Sequence, residues 1–162
     1  MADLIRRFRT SDAEALAALT LAAIRETGLR DYSPEQVTAW SARHPGANRF
    51  IASAMKGDAI LVAVDAGDRP IAYVLTEPDG HIDMLYCHPD HTGKGVAGVL
   101  LSAAEAGSRG SGIIRLFTEA SELARPVFER AGFAVLHRRD FEIAHEGREV
   151  AIHNYAMEKQ LG

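Results

Sequence analysis

The segment best suited to bind a ligand is rich in glycine and lies between a strand-like and a helix-like apolar run. It reads Thr92-Gly93-Lys94-Gly95-Val96-Ala97-Gly98. Residues without bulky side chains let successive backbone N–H groups converge on an anion, and a helix that begins here adds the positive end of its dipole. The segment therefore predicts a loop that binds phosphate or pyrophosphate.

Other types of phosphate-binding loop fit this segment less well. A P-loop needs glycine at position 88 and Ser or Thr after the lysine, but the sequence has His88 and Gly95. Gly93, Gly95 and Gly98 match the glycine spacing of a dinucleotide-binding fingerprint. In that fingerprint the strand ends almost directly at the first glycine, whereas here Cys87 ends the strand several residues earlier. NAD binding is therefore the weaker alternative.

Two side chains just before this loop could move a proton. His81 and Asp83 lie in a run expected to form a β-strand, and alternation along a strand places them on one face. A histidine with an ordinary pKa of about 6.5 accepts a proton readily, and a nearby carboxylate can orient it. These residue types make His81 a candidate general base and Asp83 a candidate to assist it. The alternative is a solvated turn histidine beside an exposed aspartate.

The same stretch contains five possible metal ligands within eleven positions, namely His81, Asp83, His88, Asp90 and His91. Their spacing does not match a two-histidine helix motif, and two of the histidines flank a proline in the loop. We therefore expect no metal here. The proposed chemistry requires none.

The glycine loop resembles the coenzyme motif of the GCN5-related N-acetyltransferases, the GNAT family, which transfers acetyl from acetyl-CoA to an amine. In that family a strand and an x-Pro pair precede Gln/Arg-x-x-Gly-x-Gly/Ala, which begins a helix. The matching residues here are Cys87-His88-Pro89, followed by Thr92 to Ala97. Thr92 departs from the family's Gln or Arg, which removes one side-chain contact to the pyrophosphate. Lys94 can supply compensating charge.

A second GNAT motif follows the next strand. The family has Asn-x-x-Ala-x-x-x-Tyr-x-x-x-Gly-Phe, and the segment from Ser121 to Phe133 has the same frame. Ala124 and the Gly132-Phe133 pair fit, whereas Ser121 and Phe128 depart. The resemblance extends over the whole chain in element order, so we expect one GNAT domain spanning residues 1–162.

The resemblance implies where acetyl-CoA binds. Its pantetheine arm would lie in a gap between the fourth and fifth strands and pair with the backbone of Leu85, Tyr86 and Cys87. Backbone N–H groups near Tyr86 and Cys87 would stabilise the oxyanion. The other expected coenzyme contacts are Thr92, Gly93, Lys94, Gly95, Val96, Ala97, Gly98, Ser121, Ala124 and Phe128.

The resemblance leaves the general acid open, because Phe128 stands where the family has a tyrosine and cannot donate a proton. Tyr155 is the first replacement candidate and Tyr86 the second. Either could instead be a half-buried tyrosine of the sheet, and solvent could protonate the thiolate.

The acceptor should contact the helices before the sheet, where Tyr32 and Trp40 lie, together with Tyr73 and Glu77 on the strand beside the site. An aromatic wall and a carboxylate suit a cationic amine, although Trp40 is also a natural core residue. The expected acceptor is a small-molecule or peptide amine, which the sequence does not identify. A GNAT-fold protein that binds CoA as a sensor without turnover is the alternative function.

The elements that must position these residues follow the order β-α-α-β-β-β-α-β-α-β-β. We expect a mixed, mostly antiparallel sheet of six to seven strands, with helices on both faces and a splay between the fourth and fifth strands as the resemblance implies. The predicted strands cover residues 4–8, 59–64, 71–76, 81–87, 113–118, 133–144 and 150–158. The predicted helices begin at Ser11 and Ser33 or cover residues 96–106 and 121–131, and residues 47–56 may add a turn or two.

Composition restricts the function further. The 162 residues contain 18 Lys+Arg and 22 Asp+Glu, a net charge of −4 that argues against a dedicated nucleic-acid or anionic-membrane binder. Cys87 is the single cysteine, and neither a signal-peptide core nor an apolar stretch of about 18 residues occurs. We expect a cytoplasmic protein, with a homodimer through the last strands as an open option.

Overall fold

Seven strands form one sheet in the computed structural model, which describes residues 4–162. The strands are Leu4–Arg7 (β1), Ala59–Val64 (β2), Pro70–Thr76 (β3), His81–Cys87 (β4), Arg115–Ala120 (β5), Ala134–His145 (β6) and Arg148–Gln160 (β7). Their order is β1-β2-β3-β4-β5-β7-β6, and every neighbouring pair is antiparallel except β4 with β5. The predicted mixed, mostly antiparallel sheet is confirmed. This topology does not favour the NAD interpretation, since that fingerprint belongs to sheets of successive parallel βα units.

Helices cover both faces of this sheet, as predicted. In the described residues the α-helices are Ala13–Glu26 (α1), Pro34–Ala42 (α2), Ala47–Met55 (α3), Val96–Gly110 (α4) and Arg125–Arg130 (α5). The inner faces of α4 and α5 share one apolar core with β3, β4 and β5, and those of α1 and α3 share another with β2 and β3. None of these helices combines the length and the apolar character needed to cross a bilayer.

A third, smaller core fixes the β6–β7 hairpin to the early helices. Ile24 of α1 and Val37 of α2 pack against Ile143 and Ile152 of the hairpin. The capping box predicted at the start of α2 is present, since Ser33 Oγ accepts the N–H of Gln36 and the Gln36 side chain accepts the N–H of Ser33. This core holds α2 and β7 along one side of a cleft that opens in the sheet.

Two element boundaries differ from the sequence prediction for identifiable reasons. Helix α1 begins at Ala13 after a short 3₁₀ turn, and its N-cap residue is Asp12 rather than Ser11. The buried Asp12 carboxylate accepts the Arg9 N–H at 2.7 Å, so it closes the 3₁₀ turn that precedes the helix. Helix α4 continues beyond the predicted end at 106. The added turn contains the buried Ser108 and forms despite the cost of about 1 kcal/mol for a glycine within the helix.

The sheet opens between β4 and β5. Their parallel pairing covers two residue pairs, His81 with Phe117 and Ile82 with Thr118. Thr118 Oγ1 donates to the Ile82 carbonyl at 2.8 Å at this last pair. A register shift against β3 leaves Asp83 without a partner position, so the strand bulges where it parts from β5. The predicted splay between the fourth and fifth strands is confirmed.

Candidate active site

A cleft of about 310 Å³ occupies the opening between β4 and β5. From the two strands it is lined by Asp83, Met84, Leu85, Tyr86, Thr118, Glu119 and Ala120. From the segment α1 to α3 it is lined by Ile24, Tyr32, Trp40, Arg43, His44 and Arg49. The remaining walls are Ser121, Ala124, Phe128, Phe141, Ile143, Ile152, His153 and Asn154. The cleft is therefore a mixed aromatic and charged site in the middle of the sheet.

The glycine loop lies between β4 and α4, outside this cleft. Gly93 and Gly95 have φ of +76° and +79°, a region that favours glycine, and a Cβ at either would meet nothing within 4 Å. In the described part of the chain the backbone N–H groups of residues 93–98 have no hydrogen-bond acceptor. Thr92 Oγ1 instead donates to the Pro89 carbonyl at 3.0 Å. The loop thus presents main-chain donors at the start of a helix.

The predicted coenzyme residues divide into two groups. Leu85, Tyr86, Ser121, Ala124 and Phe128 all line the cleft. The Ser121 hydroxyl accepts the Ala124 N–H at 3.1 Å.

The others lie nearer the loop. Cys87 is half-buried against the α4 core, with its thiol 3.6 Å from the His88 carbonyl oxygen. Val96 is buried, so only its backbone can face a ligand, while Lys94 and Gly98 are exposed and Ala97 is half-buried.

His81 is held between two carboxylates. Its Nδ1 lies 2.5 Å from Glu77 Oε1 and its Nε2 lies 2.8 Å from Glu119 Oε1. The hydrogen bond to Glu119 and that to Glu77 outweigh burial and raise the pKa of His81 to about 9. The same bond to His81 lowers the pKa of Glu119. At neutral pH the ring is an imidazolium that donates from both nitrogens.

This arrangement corrects the predicted catalytic pair. An imidazolium has no lone pair with which to accept a proton, and His81 does not line the cleft, so this arrangement does not support His81 as the base. Asp83 does not hydrogen-bond to His81 but forms an ion pair with Arg49 of α3. The two residues are close, as the sequence suggested, but they do not act as a pair.

The clustering of possible metal ligands also differs from the sequence pattern. Glu77, His81 and Asp83 place one candidate atom each within 4.8 Å of one another. In the loop the ring centroids of His88 and His91 lie 6.1 Å apart in an edge arrangement, and His88 Nδ1 accepts the Asp90 N–H. Because carboxylates occupy both nitrogens of His81, the cluster is already internally bonded. The absence of a metal stays a prediction.

Two of the four predicted acceptor residues do not line the cleft. Tyr73 is fully buried in the α1 core, where its hydroxyl lies 2.6 Å from Thr20 Oγ1. Glu77 is bonded to His81 at the turn before β4. Tyr32 and Trp40 do line the cleft, with ring centroids 5.5 Å apart. The aromatic wall is therefore present, and the predicted carboxylate for a cationic amine is not.

Sequence reasoning missed a second histidine, which lies in the cleft wall. His153 of β7 places Nε2 2.5 Å from Glu122 Oε2, and its side chain is 16% exposed. Glu122 follows β5 directly, and its backbone N–H donates to the Tyr32 hydroxyl at 2.8 Å. The Tyr32 hydroxyl in turn donates to the His153 carbonyl at 2.9 Å. This closed set of contacts joins the α1–α2 turn, the β5–α5 segment and β7.

Glu122 is the centre of that set. Tyr155 donates to Glu122 Oε2 and Arg125 donates to Oε1, each at 2.9 Å. Burial opposes ionisation, but the hydrogen bonds from His153, Arg125 and Tyr155 lower the pKa of Glu122 to about 2. The bond to Glu122 raises the pKa of Tyr155. Tyr155 does not itself line the cleft, so its predicted role as general acid has no direct geometric support.

Comparison with known proteins gives the same fold over the full chain. Residues 28–150 match the family model of the acetyltransferase (GNAT) domain. YafP of Escherichia coli, an uncharacterized N-acetyltransferase, is 28% identical over 138 residues, which are 85% of each chain. The crystal structure of a GCN5-related N-acetyltransferase from Rhodopseudomonas palustris superposes with a TM-score of 0.84 and 32% identity, covering 99% of this chain and 97% of that one.

A more distant structure shares the fold with a ligand bound. YncA from Salmonella typhimurium, a putative acetyltransferase solved with acetyl-CoA, covers 100% of this chain and 95% of its own, with a TM-score of 0.75 and 19% identity.

Proposed function

Since the chain belongs to the GNAT acetyltransferase family, we propose that it is an acetyl-CoA-dependent N-acetyltransferase that modifies a primary amine. The observation that carries the proposal is the separation of β4 from β5 after two residue pairs, with a cleft in the gap and a donor-rich loop at the end of β4. Such a gap exposes strand backbone to an extended ligand inside the sheet. The acetyl-CoA bound to YncA, which has the same fold, supports this assignment.

The chain's own groups fit the coenzyme in two places. The N–H groups of residues 93–98 would hold the pyrophosphate, together with the dipole of α4. Lys94, which forms no ion pair within residues 4–162, can add positive charge. The backbone of Leu85 and Tyr86 would pair with the pantetheine arm beside Ala124 and Phe128. Bound acetyl-CoA supplies a thioester carbonyl that reacts with the amine.

Direct attack in a ternary complex agrees with the cleft chemistry. No cysteine lines the cleft among the described residues. The Thr118 hydroxyl donates to the Ile82 carbonyl, and the Ser121 hydroxyl accepts the Ala124 N–H. A covalent acetyl-enzyme would need an activated nucleophile with a neighbouring base, which these engaged hydroxyls lack. Orientation of the two substrates then provides much of the rate.

The acceptor would enter past the aromatic wall. Tyr32, Trp40 and Tyr86 form a chain of ring contacts with centroids 5.5 and 6.4 Å apart along one side of the cleft. These faces suit the carbon frame of a small-molecule or peptide amine. Arg43 and Arg49 lie on the same side, and their positive charge disfavours an acceptor with several positive charges.

Release of free thiol tests the function. The protein is incubated with acetyl-CoA and a panel of amino acids, peptides with free N-termini, polyamines and arylalkylamines. We expect at least one amine to raise thiol release well above the amine-free rate, with the acetylated amine identified by mass. Tight CoA binding with no amine-dependent release would reject the proposal and favour the sensor.

Two glycine variants check that the loop binds the coenzyme. Gly95→Val forces a β-branched residue into φ +79° and should raise the KM for acetyl-CoA about tenfold or more. Gly110→Ala at the far end of α4 meets nothing within 4 Å and should leave that KM unchanged. Equal KM values for the two variants would place coenzyme binding elsewhere.

A further inference from the structure

The proposed reaction needs a proton acceptor in the cleft, and His81 cannot be it. We propose that His153 is the general base and that Glu122 positions it, an inference that rests on the proposed function. His153 lines the cleft, and its side chain is 16% exposed, so it can meet a substrate while remaining in a defined orientation. The ring lies between Tyr32 and Tyr155, with centroids 5.5 and 5.6 Å away.

Glu122 determines which ring nitrogen is available. The Glu122 carboxylate is ionised and can only accept hydrogen bonds, so His153 Nε2, at 2.5 Å, must carry the donated proton. The neutral ring then has its lone pair on Nδ1. In the described part of the chain no group hydrogen-bonds to that nitrogen. His153 therefore has one nitrogen fixed by the protein and one ready to accept a proton.

The other titratable groups of the cleft are worse bases. Asp83 is ion-paired with Arg49. Glu119 is bonded to the His81 cation, which lowers its pKa. Burial, with the charge of Arg49, lowers the pKa of His44, so this ring binds a proton weakly. His153 is the remaining histidine of the cleft and the one backed by a carboxylate that stabilises its charged form.

In the transfer step the acceptor ammonium gives one proton to His153 and a second to the departing thiolate. His153 Nδ1 takes one proton from the acceptor ammonium, and Glu122 stabilises the imidazolium that forms. The freed lone pair of the amine nitrogen forms the C–N bond with the acetyl carbon as the C–S bond breaks. A second proton from the same nitrogen passes to the departing thiolate, which gives the CoA thiol. His153 then returns its proton to solvent. The ammonium has lost two protons, and the product is a neutral amide.

The pH dependence of this step reflects all charged groups around the ring. Glu122, which is itself bonded to Arg125, contacts it from the β5–α5 segment, and the Tyr32 ring faces it from the turn before α2. Tyr155 lies two residues along β7. Across the hairpin, Asp140 pairs with His153 in register and is bonded to Arg138. Of these groups Glu122 is the one in contact with an imidazole nitrogen.

Replacement of His153 tests the inference. With an amine identified by thiol release, His153→Gln should lower kcat/KM at pH 7 about 100-fold or more, because proton transfer by a positioned base contributes about 10²–10⁴-fold. When kcat/KM is measured from pH 5.5 to 9, the fall in activity at the acid end of the wild-type profile should be absent from the variant. Imidazole in the buffer should restore part of the activity of His153→Ala, which a purely structural role would not allow. The affinity for CoA should stay unchanged, and His137→Gln, at an exposed position of β6 outside the cleft, is the matched control.

The outcomes separate the two proposals. If the wild type turns over no amine, the proposed function fails. If the wild type is active but His153→Gln keeps more than about a third of its kcat/KM, or keeps the acid limb, only the assignment of the base is overturned. A ¹⁵N spectrum of the ring gives an independent check without any acceptor. The neutral form should carry its proton on Nε2, and an Nδ1–H tautomer would contradict the proposal.

Discussion

His81 and His153 are both bonded to glutamates, but their surroundings differ in the number of carboxylates. His81 has Glu77 on Nδ1 and Glu119 on Nε2. In the described part of the chain His153 has Glu122 on Nε2 and no partner on Nδ1. Two carboxylates engage both nitrogens of an imidazole, whereas one carboxylate fixes the proton on one nitrogen and leaves the other open to a substrate.

The positions of the two histidines match these different roles. His81 and Phe117 form the first of the two residue pairs between β4 and β5, and their stacked rings have centroids 5.0 Å apart. Through Glu77 and Glu119 it joins the turn before β4 to β5 at the base of the opening. His153 lies in the cleft wall beyond the paired part of the strands. We infer that the first cluster stabilises the opening of the sheet and the second acts on what binds there.

The largest effect on stability should come from replacing His81, which takes no part in the proposed chemistry. His81→Gln removes the positive charge between the two carboxylates, so Glu77 and Glu119 are left close together with their charges uncompensated. We expect the free energy of unfolding at pH 7 to fall by about 3 kcal/mol. His153→Gln can still donate to its single carboxylate and should cost less than about 1 kcal/mol. Urea unfolding of both variants measures the difference.

Alkaline pH provides the check on that prediction. The folded-state pKa of His81, about 9, lies above its ordinary value. Its contribution to stability is therefore fully present below about pH 6.5 and is lost as the pH rises through about 9. The stability gap between wild type and His81→Gln should narrow over this window. A gap that stays constant from pH 6 to 10 would show that the His81 charge is not what stabilises the fold.

The sequence predicted the first of these regions well. The apolar run of β4 lies between Asp79-Gly80 and His88-Pro89, so its bounds at His81 and Cys87 follow from turn chemistry. The interpretation of His81 as a base did not include its two carboxylate partners. The partners Glu77 and Glu119 reach His81 across a turn and from the parallel strand, and no local pattern reports the distance between such side chains.

The second region was accessible to sequence reasoning only in part. Tyr155 was selected as a site residue, and His153 lies two positions earlier on the same face of the same strand. That period of two is the signal that could have indicated it. Glu122 lies 31 residues from His153, and their contact depends on how the β6–β7 hairpin folds back along β5. Pairing of that kind is set by tertiary packing, which one sequence does not show.

A smaller effect should follow from Glu122→Gln. An amide can donate or accept, so it no longer forces the Nε2–H tautomer of His153, and it stabilises the imidazolium less than a carboxylate does. We expect kcat/KM to fall ~30-fold and the acid limb of its pH profile to move to lower pH. Glu119→Gln is the matched control, because it touches the other histidine and should leave the position of that limb unchanged. A limb that moves equally in both variants would remove the distinction between the two clusters.

The smallest effect is expected from Tyr155→Phe, which tests whether the second cluster also contains the general acid. The Tyr155 hydroxyl donates to Glu122 at 2.9 Å and does not line the cleft, and the bond to Glu122 raises its pKa, so it is held away from the departing thiolate as a weak acid. Glu122 keeps its bonds to His153 and Arg125 in the variant, so kcat should change less than about threefold. A fall of about 100-fold, with the affinity for CoA unchanged, would make Tyr155 the acid. Glu122 would then position both the base and the acid of the reaction. The second cluster would carry all of the proton transfer, and the His81 cluster would have a structural role alone.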